Sequence, residues 1–372
     1  LDAKNMGVPR VAMAMSGGVD SSVAAALLKE VGFEVIGLHL KLYQGPEATK
    51  RIKSCCSLDE ALDARLICER LKIPFYVLDF QEDFQSNVID YFVNEYSLGR
   101  TPNPCVMCNR TVKSELLLKK ADELDCEFLA TGHYAKILKN VTGKIELHRP
   151  RDRKKDQTYF LHGIPYDQLQ RLMFPLQDHI KSEVRKIAEK LDLDSASKPD
   201  SQEICFIDKD YRQFLKAQNR ITENPGEFIN LEGKVLGKHR GIPFYTVGQR
   251  RGLGISDRTP WYVVAIDVNE NRVVLGKREN LRFNEIHVKD INWLIEPLEE
   301  PREIVVQLRY SHRGCEAMLT PLATDQATLH LPFSELAVTA GQAAVFYEGD
   351  RVLGGGWIKS CSNEEISMDI PA

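Results

Sequence analysis

The alternation of strands and helices that begins at Arg10 most restricts the fold. Residues 11–15, "VAMAM", are typical of a short buried strand, and residues 16–32 give a loop and then a helix that ends at Gly32. "FEVIGLHLKL" follows as a second strand, which completes a β-α-β unit. The same order recurs as far as "CEFLATGHYAKI". We therefore expect an α/β fold with a parallel, doubly wound sheet that is covered by helices on both faces.

The pattern of residue types changes twice further along the chain. After about residue 210, segments punctuated by Gly, Pro and Arg surround short strand-like runs such as "WYVVAIDV". From about residue 283, apolar and polar residues alternate, as in "REIVVQLRYS", which favours an antiparallel barrel or sandwich. We predict three domains: an α/β domain over 1–208, a small central domain over 209–282 and a C-terminal antiparallel β-barrel over 283–372. A length of 372 residues suits this number of cores.

Composition restricts the class of protein further. The chain is 43% hydrophobic and 27% charged, which is typical of globular proteins, and it contains no apolar run of about 18 residues that could span a membrane. "VAMAM" is too short for a signal-peptide core, so a cytoplasmic protein without a membrane partner is expected. Nine cysteines in such a protein favour metal binding or thiol chemistry over a disulfide framework. The net charge of -4 leaves room for a local basic stripe that binds nucleic acid.

The segment from Ser16 to Ser22, "SGGVDSS", lies where an open α/β sheet binds ligands, between the first strand and the first helix. Its glycines allow backbone N–H groups to approach an anion closely, and a helix N-terminus favours negative charge. Ser21 and Ser22 add hydroxyl donors. Two glycines alone are equally consistent with an ordinary turn and helix cap. The pattern lacks the lysine of a Walker-type loop, which argues against that class of NTPase.

The order of strand, "SGGVDS" and helix resembles the pyrophosphate loop of the ATP pyrophosphatases, which release AMP and pyrophosphate. This resemblance implies that ATP is the nucleotide and that Asp20 helps to bind Mg²⁺. The residues that it places at the nucleotide are Ala14, Met15, Ser16, Gly17, Gly18, Val19, Asp20, Ser21, Leu40 and Gly132.

Six further blocks resemble the bacterial tRNA-specific 2-thiouridylases. They are "GRTPNPCVMCN", "ATGHYA", "KDQTYFL", "KPDSQEICFI", "YTVGQRRGLGI" and "GQAAVFYEGD", in that order along nearly the whole chain. The resemblance implies that ATP adenylates the C2 oxygen of the wobble uridine and that a sulfur nucleophile then expels AMP to give 2-thiouridine. It also implies two partners, the anticodon loop of a tRNA and a sulfur-donor protein or sulfide source.

The cysteines are where the chain departs from that family. By resemblance, Cys108 is the nucleophile and Cys205 carries a persulfide, but Cys105 stands where many members have Asp. Three thiolates can hold a [4Fe-4S] cluster and leave one iron open, so we hypothesise that Cys105, Cys108 and Cys205 bind one. A persulfide relay without a cluster remains open. A lone Cys-x-x-Cys is also consistent with structural zinc or no function.

The tRNA contacts are likewise implied by the resemblance. Arg149 to Tyr159 is rich in basic residues, which suits phosphate contacts but is otherwise a solvated charge run. Arg250 and Arg251, and the cation beside an aromatic ring in "QLRYS", suit single-stranded RNA. The residues assigned to tRNA are Asn103, Pro104, His133, Lys155, Asp156, Gln157, Arg309, Tyr310 and Gln342.

Two other functions remain as alternatives. A synthetase of the same superfamily that adenylates a small carboxylate would explain "SGGVDS", but it would leave the three cysteines and the extra domains without a role. An RNA-binding module that uses only its barrel would leave the phosphate loop without a role. AMP release that depends on tRNA separates these functions from tRNA thiolation.

Overall fold

The structure is a computed structural model that describes residues 8–43, 58–193, 204–207, 210–218, 221 and 223–362. The chain forms two compact units. The first comprises Leu1–Val88, Cys105–Lys209 and Asp350–Val352, and the second comprises Ile89–Pro104, Asp210–Gly349 and Leu353–Ala372. The predicted boundaries of three domains remain a prediction beside this division into two.

The helices and strands are numbered here in chain order. The helices are α1 Val19–Glu30, α2 Leu58–Leu71, α3 Gln81–Phe84, α4 Asp90–Ser97, α5 Pro104–Met107, α6 Leu117–Glu123, α7 Thr158–Leu161, α8 Tyr166–Leu169, α9 Lys181–Lys190 and α10 Tyr211–Ala217. The strands are β1 Arg10–Ala14, β2 Glu34–Lys41, β3 Phe75–Asp79, β4 Phe128–Ala130, β5 Lys136–Lys139, β6 Ile145–His148, β7 Leu172–Met173, β8 Gly226–Asn230, β9 Val235–His239, β10 Tyr262–Asp267, β11 Arg272–Gly276, β12 Arg282–Trp293, β13 Arg302–Gln307, β14 Cys315–Ala323, β15 Gln326–Leu336, β16 Ala343–Glu348 and β17 Arg351–Ser362. Two π-helical segments span Gln85–Ile89 and Cys108–Leu116.

The first unit contains a five-stranded sheet in the order β3-β2-β1-β4-β7, and each neighbouring pair is parallel. The predicted α/β fold class with a parallel sheet is therefore confirmed. The central strand β1 is apolar and buried at Val11, Ala12 and Met13, because a parallel strand is covered on both faces. Helix α1 packs its small residues against this strand and against α9. The order of the sheet changes direction at β1, and a ligand is expected beside such a switch point.

The chain turns after β4. Strand β4 ends at Ala130, and β5 pairs with β6 in an antiparallel hairpin. Between these strands, Gly132 and the contact of Tyr134 with Gln157 form the turn. Earlier in the chain, α5 continues into the π-helical segment that begins at Cys108.

The second unit contains a small four-stranded sheet and a barrel. The sheet has the order β10-β11-β8-β9, with β8 and β11 parallel. The barrel has the order β12-β15-β14-β13-β16-β17, and pairing between β12 and β17 closes it. This confirms the predicted antiparallel barrel. Closure removes both exposed sheet edges, and the alternating apolar residues of these strands fill the interior.

Within the described ranges, no helix combines the length and the apolar character that crossing a bilayer requires.

Candidate functional site

The loop after β1 forms a compact hydrogen-bonded turn. Gly17 has φ +75°, and a side chain there would lie 2.6 Å from the carbonyl oxygen of Glu60 in α2. The Ser16 amide donates to Ser21 Oγ at 3.2 Å, and Ser21 Oγ donates to the Gly18 carbonyl at 3.1 Å. Helix α1 starts after Gly18 without a side-chain cap. No side chain therefore caps the first amides of α1, and amides at such a helix start can bind an anion.

Gly132 closes this turn from the adjacent strand. A Cβ atom at position 132 would lie 2.8 Å from Ser21 N and 2.9 Å from Asp20 C, closer than side chains normally approach a backbone. Only glycine therefore lets the turn after β4 pack against the start of α1. The resemblance placed Gly132 at the nucleotide, and the structure brings it to the same helix start as Ser21.

Asp20 is held by two groups that the sequence did not indicate. Lys181 Nζ lies 2.8 and 2.7 Å from the two carboxylate oxygens, and Tyr134 Oη donates to Oδ1 at 2.9 Å. Lys181 opens α9, and its side chain is only 13% exposed. This pair places the ammonium group of Lys181 at the edge of the loop, where the phosphates of a nucleotide would bind. Lys181, in "HIKSEVRK", is not part of a sequence motif. Its role becomes visible only through its contact with Asp20, which lies 161 residues away in the chain.

The remaining predicted nucleotide residues follow β1 and β2. Ala14 ends β1, the Met15 amide donates to the Leu38 carbonyl at 2.8 Å, and Leu40 is a buried residue of β2. The structure thus gathers the predicted set at the carboxyl end of the central strands, where α/β sheets bind ligands. Their contact with ATP stays a prediction.

Cys105 and Cys108 lie three residues apart at the junction of α5 and the π-helical segment. This spacing places both thiols on the same side of the helix. Cys108 is buried and Cys105 is half-buried. The buried Asn109 amide donates to the Phe160 carbonyl at 3.3 Å, which fixes the segment against α7. Single π-helical turns are frequent at functional sites.

Cys205 lies in a short turn that is anchored by its neighbour Phe206. Phe206 is 2% exposed, and its ring packs edge-on against Phe84 of α3 at 5.7 Å and Tyr43 at 6.4 Å. Tyr43 follows the carboxyl end of β2, and α3 also packs against the π-helical segment that starts at Cys108. The turn that contains Cys205 and the segment that starts at Cys108 therefore both contact α3 in the first unit.

The three thiols do not form a preformed site for a single metal ion. Among the described residues, three possible ligand atoms lie within 4.8 Å of one another in a different group, which comprises His312, Cys315 and Glu335. A cluster that binds each cysteine through a different iron holds its ligands farther apart than one ion does. The geometry therefore leaves the cluster hypothesis as a proposal.

Other described cysteines are unsuited to nucleophilic chemistry. Burial raises the pKa of the Cys68 and Cys361 thiols to about 12, and it also raises the pKa of Cys126. These thiols stay protonated at neutral pH, and the thiolate is the reactive form. Cys68 and Cys126 are both buried. Cys55 and Cys56 lie outside the described residues.

His133 follows β4 and faces the π-helical segment. Thr131 Oγ1 lies 2.8 Å from His133 Nδ1, and the ring of Phe174 packs edge-on against the imidazole. Burial, together with the positive charge of Lys113, lowers the pKa of His133 to about 3. The imidazole is therefore neutral at physiological pH, so it suits hydrogen bonding to a base better than pairing with phosphate.

Asp156 and Gln157 hold the turn that presents His133. Gln157 Oε1 accepts from the Tyr134 amide at 2.9 Å, and the Gln157 amide donates to the Tyr134 carbonyl at 3.0 Å. Asp156 pairs with Arg149 and accepts from the Thr158 amide at 2.9 Å. These contacts are structural. Direct contact of Asp156, Gln157 or the neighbouring Lys155 with tRNA stays a prediction.

In the second unit, Gln342 holds the segment that leads to Asn103. Gln342 Nε2 donates to the carbonyls of Thr101 at 3.0 Å and Pro102 at 3.3 Å. Gly341, with φ +88°, approaches Thr101 so closely that a Cβ would lie 3.0 Å from its backbone. Asn103 is 7% exposed. The barrel therefore fixes the segment in which the base contacts were predicted. The side chain of Gln342 does so by binding the backbone carbonyls of that segment.

Five further residues were predicted to contact RNA. Arg309 Nη1 donates to the Leu336 carbonyl at 3.3 Å in the loop after β13, and Tyr310 is 45% exposed in the same loop. Arg250 and Arg251 are exposed in the small central region. Pro104 opens α5, where proline is favoured at a first helical position.

The fold and the glycine-rich turn define an α/β nucleotide-binding protein with an anion-binding loop after its first strand. Family models described as the tRNA methyl transferase HUP domain, the tRNA methyl transferase PRC-barrel domain and the aminomethyltransferase beta-barrel domain match residues 9–209, 212–277 and 283–358. Curated relatives called tRNA-specific 2-thiouridylase MnmA are 48% identical in Pelotomaculum thermopropionicum (94% of this chain, 97% of the relative) and 48% identical in Geobacter metallireducens (95% and 98%). The relative of that name in Geotalea uraniireducens is 46% identical over 98% of this chain and 99% of its own length. The chain belongs to the tRNA-specific 2-thiouridylase family.

Proposed function

We propose that the protein is an ATP-dependent tRNA sulfurtransferase that converts the wobble uridine of its tRNA substrate to 2-thiouridine. The observation that carries this proposal is the closed turn at the head of α1. Gly132 packs against Ser21 there, in the same unit as the thiols of Cys108 and Cys205. Family membership supplies the reaction class, and this arrangement supplies the groups that the reaction needs.

The first step is adenylation of the uridine. The uracil N3 loses its proton to solvent, and the C2 oxygen forms a bond to the α-phosphorus of ATP. The bond from that phosphorus to the bridging oxygen breaks, and pyrophosphate leaves. Pyrophosphate carries the charge that develops, so the uncapped start of α1 and the cation of Lys181 would stabilise it. Mg²⁺ would supply further positive charge at the phosphates, and Asp20 could reach it only by sharing its oxygens with Lys181 and Tyr134.

The second step replaces the activated oxygen by sulfur. In a persulfide relay, the terminal sulfur on Cys205 bonds to C2 and AMP leaves. The Cys108 thiolate then attacks Sγ of Cys205. A disulfide forms between the two cysteines, the bond from Sγ to the former terminal sulfur breaks, and that sulfur stays on the base. A cellular thiol reductant must restore both thiols. Phe206, beside Cys205, and the π-helical segment that begins at Cys108 both contact α3, which supports such a transfer.

The finer proposal is that Cys105 makes sulfur delivery depend on an iron-sulfur cluster. Thiolates of Cys105, Cys108 and Cys205 would hold three irons of a [4Fe-4S] cluster, whose fourth iron would present a donor sulfide. The spacing of Cys105 and Cys108 on one helical side supports this arrangement. Persulfide relay through Cys205 and Cys108 is the competing route.

The tRNA would bind by its anticodon loop. In the first unit, the neutral His133 would contact the extruded uridine. In the second unit, the exposed Tyr310 would stack on an unpaired base. Because the target lies in a loop, extruding it breaks no base pair.

The test supplies anaerobic protein with ATP, a sulfide source or persulfide donor, and an unmodified tRNA transcript. AMP release that depends on tRNA, with 2-thiouridine found by mass spectrometry of nucleosides, is the expected result. Cys108→Ser and Cys205→Ser should lose thiolation and keep tRNA affinity. Cys126→Ala serves as the control, because its thiol is buried and has a raised pKa. AMP release without tRNA would instead favour a small-molecule synthetase.

The two routes of sulfur delivery separate on one residue. If a cluster is required, Cys105→Ser and Cys105→Asp should both lose iron, acid-labile sulfide and activity. If a persulfide is sufficient, purified protein should thiolate tRNA without iron, and Cys105→Asp should retain activity. Iron and sulfide content measured on anaerobic protein decides this before any activity is assayed.

A further inference from the structure

His312, Cys315 and Glu335 form a cluster that the proposed reaction does not use. Among the residues whose positions the structure gives, they are the group in which three possible metal ligands lie within 4.8 Å of one another. His312 lies in the loop between β13 and β14, Cys315 opens β14, and Glu335 lies near the end of β15. Three backbone segments of the barrel therefore converge on one nitrogen, one sulfur and one carboxylate oxygen.

The spacing of the ligand atoms is close to what a tetrahedral ion requires. Zinc binds N, O and S ligands at about 2.0–2.3 Å, which separates ligand atoms by about 3.3–3.8 Å. His312 Nε2 already lies 3.4 Å from Glu335 Oε2. Since every ligand pair lies within 4.8 Å, a shift of about 1.5 Å at most completes the geometry. The three residues are only partly buried, so an ion can enter from solvent.

The charges of the cluster suit a divalent ion. A thiolate and a carboxylate supply two negative charges, and a neutral imidazole supplies none, so Zn²⁺ gives a neutral site. Arg309 is the opposing charge, because its guanidinium donates to the carbonyl of Leu336, next to Glu335. The ligand set of N, S and O favours zinc over Mg²⁺ or Ca²⁺, which prefer oxygen alone.

Two hydrogen bonds must change when a metal binds. The Leu308 amide donates to His312 Nδ1 at 3.4 Å, which is at the long limit for such a bond. A metal on Nε2 leaves the imidazole proton on Nδ1, and this bond is then lost. The Cys315 thiol, which donates to the Val306 carbonyl at 3.9 Å, releases its proton to solvent and loses that bond, because the thiolate is the ligand. Without a metal, His312 and Glu335 make a simple polar pair and Cys315 packs against the barrel interior.

We propose that His312, Cys315 and Glu335 bind one Zn²⁺ ion, with water as the fourth ligand, and that the ion ties the loop after β13 to the end of β15. That loop also carries Arg309 and Tyr310. If the proposed tRNA contacts hold, the ion orders the part of the barrel that meets RNA. The metal site itself stands independently of that function.

The experiment uses the full-length protein with Cys105, Cys108 and Cys205 changed to Ser, so that those thiols cannot bind the probe. Co²⁺ is the probe, because a cobalt-thiolate bond gives a charge-transfer absorption that reports a sulfur ligand. His312→Ala, Cys315→Ser and Glu335→Gln are added singly to this background. His330→Ala is the matched control, since His330 Nδ1 lies 3.6 Å from Glu285 Oε2 in a second His–Glu contact of the same barrel. Circular dichroism checks that each variant is folded.

We expect one equivalent of Co²⁺ to bind, with a charge-transfer band that disappears in Cys315→Ser. Changes outside the ligand shell cost about 10–100-fold in metal affinity, so loss of His312 or Glu335 should cost at least about 100-fold. His330→Ala should bind like the background. Binding that is absent from the background, or that is equally tight in Cys315→Ser and Glu335→Gln, overturns the proposal.

A second measurement needs no ligand variant. X-ray absorption of the Zn²⁺-loaded background should give one sulfur neighbour at about 2.3 Å and nitrogen or oxygen neighbours at about 2.0–2.1 Å. A spectrum with only nitrogen and oxygen neighbours overturns the site. Neither measurement contains ATP or tRNA, so failure here leaves the sulfur-transfer proposal untouched.

Discussion

Replacing Gly132 by Ala tests whether the start of α1 is the nucleotide site. The added Cβ would lie 2.8 Å from Ser21 N and 2.9 Å from Asp20 C. The neighbouring atoms are backbone, so no flexible side chain can move aside. Restoring an ordinary contact of 3.4 Å requires the turn after β4 and the start of α1 to separate by 3.4 − 2.8 = 0.6 Å.

The expected magnitude follows from this crowding. Overpacking of a close contact costs about 1–3 kcal/mol. In the free protein, the turn relieves the strain by moving away from α1, and binding ATP requires the original geometry again. The cost therefore falls on the bound state and lowers the affinity for ATP about 5–150-fold, since 1.4 kcal/mol is tenfold in affinity. A displacement of 0.6 Å at reacting groups should lower the rate of AMP release as well.

The assay is ATP affinity by calorimetry, followed by the rate of AMP release with saturating tRNA. Gly276→Ala is the matched control, because its Cβ would also lie 2.8 Å from a neighbour, Val264 Cγ1, in the second unit. Both variants should unfold cooperatively in urea, but only Gly132→Ala should lose ATP affinity. If folded Gly132→Ala binds ATP as tightly as Gly276→Ala, α1 does not hold the nucleotide.

Three further changes test other contacts. Lys181→Met leaves Asp20 without its cation, so the free energy of unfolding in urea should fall by about 1–2 kcal/mol, and by clearly less when Asp20→Asn is already present; additive effects would contradict the pairing. Burial lowers the pKa of His162 to about 4, so the unfolded chain binds more protons below about pH 6.5, and stability should fall as pH falls. This contribution is about 2 kcal/mol between pH 7 and pH 5, and equilibrium unfolding of His162→Gln should lack it; an unchanged pH dependence refutes the assignment. Gln342→Ala releases the Thr101 segment and should raise KM for tRNA about fivefold at unchanged ATP affinity, and equal losses for both substrates would show general damage instead.

Much of the fold was predictable because its signals are local. The apolar run of β1 and the helix that follows Gly18 each reflect short-range periodicity, and the same holds for the alternating strands of the barrel. The turn after β4 depends instead on a distant partner. Gln157 binds Tyr134 and bends the chain after Ala130, and no local pattern records that contact.

The candidate site divides in the same way. The glycine-rich loop and the Cys-x-x-Cys pair were visible, since each is contiguous in the sequence. Lys181 was not, because its relation to Asp20 exists only after α9 packs beside α1. The cluster at Glu335 was missed for the same reason, although His312 and Cys315 are near neighbours in the sequence.

By itself, the sequence determined the parallel α/β class, the barrel and the anion-binding loop, since hydrophobic periodicity and glycine placement act over a few residues. Only the tertiary structure decided which cation meets Asp20, why position 132 must be glycine, and which barrel side chains converge on His312. Those are distances between segments far apart in the chain. They are fixed by packing of whole elements, and no local pattern records them.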